Sequence, residues 1–166
     1  MATTHHELAV ELAGVATTAL LGAGLSALPA VLYHGSIPDE AECVDGRVAV
    51  WFDVATGCER FPSPSAVVGC GGPPMLDYRV RWTRCWPFEP NYVPAMSTLA
   101  AALLDGAMVV HDAYAALTCA ADAGIEGVAG RGIALVSTRH RQPMGGVAGV
   151  EWRLLVRPSF PPAPPP

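Results

Sequence analysis

The chain has 166 residues, of which 51% are hydrophobic and 15% charged, with a formal net charge of −5. That is enough chain for one sizeable core, too apolar for disorder, and too acidic for a dedicated nucleic-acid binder, which carries a basic footprint. All ten basic residues are arginine, and Ala, Gly and Pro abound. This composition looks like that of a GC-rich genome, so arginine enrichment by itself says little about function.

Thr4-x-x-Glu7 reads as a capping box ahead of "LAVELAGVATTALL". Leu8, Leu12, Val15 or Ala16, and Ala19 recur at helical spacing, which predicts a helix over about 5–22, with glycines 22 and 24 fraying its end. Residues 12–33 form an uncharged run of transmembrane length. It is built from Ala, Gly and Thr, Pro29 interrupts it, and no Lys or Arg precedes Arg47. It therefore lacks the basic flank of an anchor or a signal peptide, and a helix buried against protein is expected instead. His5-His6 points in two directions on such a helix and makes no metal site. The stretch 37–46 is an acidic loop whose Asp39, Glu40, Glu42 and Asp45 fit no calcium-loop spacing.

"RVAVWFDV", 47–54, alternates, with Val48, Val50, Phe52 and Val54 on one face and Ala49, Trp51 and Asp53 on the other. That predicts a strand. Residues 56–74 are rich in Gly, Pro and Ser and lose all periodicity. A connection that long is usually functional or lies against a partner. "MLDYRVRWTRCWP" follows, with Leu76, Tyr78, Val80 and Trp82 on one face and Asp77, Arg79, Arg81 and Thr83 on the other, again a half-buried strand.

Met96, Leu99, Leu103, Ala107, Val110, Tyr114, Leu117 and Ala121 then step by three and four along one amphipathic helix of about 27 residues. Its other face carries Thr98, Asp105, Asp112 and Asp122, and Gly106 is a candidate bend. "GIALVSTRHR" and "GVEWRLLVRP" alternate once more and are joined by "QPMGG", the signature of a hairpin. The expected fold is α+β: a mainly antiparallel sheet of about four strands, in the order α-β-β-α-β-β, with the long helix packed on one face. Residues 1–158 make a single domain. Residues 159–166, "SFPPAPPP", make a proline-rich C-terminal arm in polyproline II.

Catalytic chemistry finds little purchase. Cysteines 43, 58, 70, 85 and 119 show no C-x-x-C and no Cys/His ligand spacing, which argues against structural zinc. Their odd count suits a reduced, cytosolic origin. Cys85 and Cys119 read as small buried hydrophobes, and a disulfide among Cys43, Cys58 and Cys70 stays open. Cys85 as a nucleophile needs a histidine base, and nothing in the sequence brings His34, His111 or His140 to it. No phosphate-binding or nucleophile-elbow motif occurs, and "GCGGPP" lacks the helix that phosphate binding requires. Arg79, Arg81, Arg139, Arg141, Arg153 and Arg157 could line up as a basic stripe. An RNA-binding sheet adds exposed aromatics on that same face, whereas Tyr78, Trp82 and Trp152 lie on the opposite one. Such arginine forks suit carboxylates across a subunit boundary.

"YRVRWTRCWP", the long alanine-rich helix and "GGVAGVEWRLLV", with "RVAVWF" and "CERFPSP" upstream, together resemble the tail-terminator and head-to-tail connector proteins of long, non-contractile-tailed phages. The resemblance covers roughly residues 5–158. It departs from the family in its long 61–74 segment and its proline tail. It implies a structural virion protein without cofactor or enzymatic activity, forming a homo-oligomeric ring, typically a hexamer. The ring caps the tail tube and meets a neck or stopper protein at the tail–neck junction, after assembly in the host cytoplasm. Double-stranded DNA only passes through its channel, and no membrane is involved. On this reading Arg79, Arg81, Arg139, Arg153 and Phe160 are subunit-interface candidates. Asp39, Glu40, Glu42, Asp105 and Asp112 are lumen candidates, because a channel that gripped phosphates would slow DNA. The alternatives are another, stopper-like connector, or a small cytosolic enzyme using Cys85.

Overall fold

The computed structural model describes residues 5–34, 44–57, 74–86, 93–122, 132–144 and 146–157. The elements run α1 (His5–Gly22), β1 (Leu28–His34), β2 (Arg47–Gly57), β3 (Pro74–Cys85), α2 (Val93–Asp122), β4 (Gly132–Met144) and β5 (Val147–Arg157). The class is α+β, as expected, and β2, β3, β5 and β4 form the antiparallel sheet. A fifth strand, β1, adds to its edge in parallel to β2. Sequence periodicity missed β1 because it lies inside the uncharged run, where apolar continuity hides a period of two.

Helix α1 ends on a closed cap rather than a frayed turn. Leu25 N–H donates to Leu20 O at 2.9 Å and Gly24 N–H to Leu21 O at 3.0 Å, with Gly24 at φ 74°. This is a Schellman motif, and the left-handed conformation it needs is the reason for glycine there. The capping-box residue Thr4 lies outside the described residues. Helix α2 opens on Val93-Pro94, with proline in the first turn, where its missing N–H leaves no bond unmade. Its 30 residues span about 45 Å.

Both helices pack on one face of the sheet. Leu8, Leu12, Ala16 and Leu20 of α1 and Leu99, Leu103, Ala107, Val110 and Tyr114 of α2 join Val48, Val50, Tyr78, Val80, Trp82, Val150, Trp152 and Leu154 in a single core. The alternation read from β2 and β3 and the three-four stepping read from α2 therefore find the inward faces correctly. Polar atoms of the large core residues are satisfied. Trp82 Nε1 donates to Ser26 O at 3.0 Å, Trp152 Nε1 to Ala107 O at 3.3 Å, and Tyr114 Oη to Leu12 O at 2.7 Å. The last bond ties α2 to α1, and full burial pushes the Tyr114 hydroxyl pKa upward.

Gly106 has a different job from a bend. A Cβ there would collide with the Trp82 ring, so the glycine lets α2 seat directly on the indole. Gly149 is similar on the strand side, where a Cβ would come within 2.6 Å of the Trp82 carbonyl oxygen. Trp82 is thus gripped between a helix and a neighbouring strand at two positions that have no room for a side chain.

Candidate functional site: an arginine–carboxylate sheet face

The sheet face turned away from the helices carries the arginines. Pairing sets Trp51 opposite Arg79 and Arg79 opposite Arg153, while Ala49, Arg81, Glu151 and Arg139 form the adjacent row. Because side chains alternate along each strand, these rows share one face. No residue of either helix belongs to the small apolar cluster there, Met75, Ala134 and Leu155.

Carboxylates from the same chain pair with these arginines. Arg79 donates to Asp53 Oδ2 from Nε at 3.0 Å and Nη2 at 2.8 Å, and to Glu151 Oε1 from Nη1 at 3.0 Å. Glu151 Oε2 also accepts from Arg81 Nη2 at 3.0 Å and from Arg141 Nε at 3.1 Å and Nη2 at 2.7 Å. Arg153 reaches Asp77 Oδ2 through both Nε, at 2.8 Å, and Nη2. The Arg81 guanidinium also lies over Trp51, 5.1 Å from the ring centroid, a cation–π contact.

Glu151 is the hub, only 4% exposed and held by three guanidinium groups. Burial alone would raise its pKa, but hydrogen bonds from Arg141, Arg81 and Arg79 outweigh it and hold the carboxyl below its ordinary value. Arg79 is moved upward: desolvation opposes the shift, and the bonds to Glu151 and Asp53 prevail. The hydrogen bonds from Arg153 to Asp77 raise the Arg153 pKa against desolvation. Asp77 is 1% exposed, and its Oδ1 has no hydrogen-bond partner among the described residues. The face is a charge-paired lattice rather than an open basic stripe.

Of the interface candidates, Arg79, Arg81 and Arg153 thus lie in this lattice. Arg139 is exposed on β4, an edge strand, and forms no ion pair among the described residues. Of the lumen candidates, Asp105 and Asp112 are exposed on the outer side of α2. Phe160, Asp39, Glu40 and Glu42 lie outside the described residues, as does the 159–166 arm. Sequence reasoning overlooked Asp53, Asp77 and Glu151 as partners. The signal was present, since each shares strand parity with an arginine, but pairing them needs the register between strands.

The cysteine expectations need correction. Cys85 is disulfide-bonded and half-buried, and Cys119 is free and exposed, so neither is a small buried hydrophobe. The partner of Cys85 lies outside the described residues. The cysteine count says nothing about which thiols pair. The Cys85 N–H donates to Asp45 Oδ1 at 3.0 Å, and Arg84 Nε donates to the same oxygen at 2.7 Å, pinning the end of β3. Among histidines, His111 Nδ1 lies 3.0 Å from Thr138 Oγ1, and His5 Nδ1 lies 3.0 Å from the Tyr78 hydroxyl. Among the described residues no three His, Cys, Asp or Glu side chains converge on a metal site. No protein-family model and no curated protein matches the chain.

Proposed function

We propose that the chain is a structural virion protein, a tail terminator. In this role it forms a ring, in the hexameric form that the sequence resemblance implies, which caps the tail tube and joins the tail to the neck. The observation that carries the reading is the pairing of an α+β fold with an uncovered helical layer. Leu104 is 54% and Met108 51% exposed on α2, with Val93 exposed at its start and Val10 and Leu21 on α1. Leu104 and Met108 stand one helical turn apart, so α2 presents them together as an apolar pair suited to association. An adaptor ring is largely helical and a stopper is usually a small β-barrel, and neither description suits five strands with two helices on one face.

A disulfide at Cys85 suits a particle that leaves the cell, since disulfides persist on virion surfaces and are rare in the reduced cytosol. The same bond counts against the enzyme alternative, because the attacking species would have to be a free thiolate. The test is polymerisation of the tail-tube subunit of the same virus, with and without this chain. Tubes of bounded length carrying a ring at one end are expected in its presence. Tube lengths that do not respond to the chain would overturn the terminator role.

A further inference from the structure

The charges of the molecule divide by layer. Neither helix contains a Lys or Arg: α1 carries Glu7 and Glu11, and α2 carries Asp105, Asp112 and Asp122. Every described arginine lies on a strand. Within the chain Arg79, Arg81, Arg141 and Arg153 are paired to carboxylates. Asp105 and Asp112 on the outer side of α2, and Arg139 on β4, are exposed and form no ion pair among the described residues.

Each of these leftover charges sits beside exposed apolar side chains. Asp105 and Asp112 flank Leu104 and Met108, and Arg139 follows Val136, which is 46% exposed at a bulge in β4. Strand β4 is also an edge of the sheet among the described residues.

We infer that the outer side of α2 in one subunit docks on the β4 edge of the next, apolar on apolar and Asp105 and Asp112 toward Arg139. This rests on the ring reading and names its subunit contact. The occupant of the α2 surface is a second copy in head-to-tail orientation for two reasons. A two-fold contact of α2 with itself would bring like-charged aspartates together, which is repulsive. A lipid surface would need basic flanks on the helix, and α2 has none although Val93–Cys119 is long and apolar enough to span a bilayer. A contact between two different patches of the same chain closes into a ring when the rotation allows.

The test is light scattering across a concentration series of the full chain, with reversed charges. Asp105→Arg with Asp112→Arg, and separately Arg139→Asp, change exposed side chains. Because Arg139 lies opposite Glu151 in the sheet, circular dichroism first establishes that each variant keeps the parental fold, and the helix variant carries the test by itself if Arg139→Asp does not. Each is expected to raise the concentration needed for assembly at least tenfold. Combining all three substitutions in one chain should restore assembly, because every junction then pairs arginine on the helix with aspartate on the strand. Reversal variants that assemble like the parent, or a combined variant no better than either, would overturn this contact while leaving the ring itself standing. A parent chain that stays monomeric throughout would overturn both.

Discussion

Replacing Trp82 with alanine is expected to remove about 3–5 kcal/mol of stability, a large share of a domain total on the order of 5–15 kcal/mol. The indole is fully buried, donates to Ser26 O, and fills the space left open by Gly106. Its removal leaves a cavity bounded by a helix and two strands, and these cannot collapse onto it without moving α2. The converse change, Gly106→Val, pushes a branched side chain into the Trp82 ring and should cost about 1–3 kcal/mol by overpacking. Urea unfolding followed by tryptophan fluorescence and circular dichroism checks both. A Trp82→Ala protein with a near-parental unfolding midpoint would mean that α2 does not depend on this seat.

The second large effect belongs to Glu151. Glu151→Gln keeps the shape but removes the charge that three arginines share, leaving guanidinium groups without their counter-charge on a partly buried face. Breaking a buried pair from one side costs about 3–5 kcal/mol, and the exposure of Arg141, 52%, places the expected loss toward the lower end. The acid behaviour follows from linkage. The folded-state pKa of Glu151 lies below its unfolded value, so folding favours the ionised form. Its contribution is fully present above the unfolded glutamate pKa of about 4.3 and is lost as pH falls through the folded value. The stability gap between parent and Glu151→Gln should therefore be full at pH 7 and close in acid below that point. A gap that is small at pH 7, or unchanged on acidification, would show that the lattice contributes little. Arg79→Ala and Arg81→Ala release the same hub, so their first effect falls on the fold of the subunit before it reaches any neighbour.

Much of the fold was legible in the residues. Period two in 47–54 and 76–83 and the three-four stepping from Met96 onward are local signals, and they found the inward faces of β2, β3 and α2. Strand β1 escaped because its sequence is apolar up to His34, which leaves no alternation to read. The arginine face was half legible. Arg79, Arg81 and Arg153 were placed together by parity, but Glu151 meets Arg79, Arg81 and Arg141 across sequence separations of 72, 70 and 10 residues, which only the register resolves. Gly106 read as a bend because its partner, Trp82, lies 24 residues earlier on another element. The disulfide at Cys85 was out of reach for a related reason, since pairing depends on proximity in space and cysteine spacing does not supply it.

The mass of the assembled chain tests the central claim most directly. Native mass spectrometry and negative-stain imaging of the purified, unreduced full chain should give one closed oligomer, with six copies of the 17.3 kDa subunit as the expected count, seen end-on as a ring with an open centre. A monomer of 17.3 kDa at every concentration, with no annular particles, would contradict it.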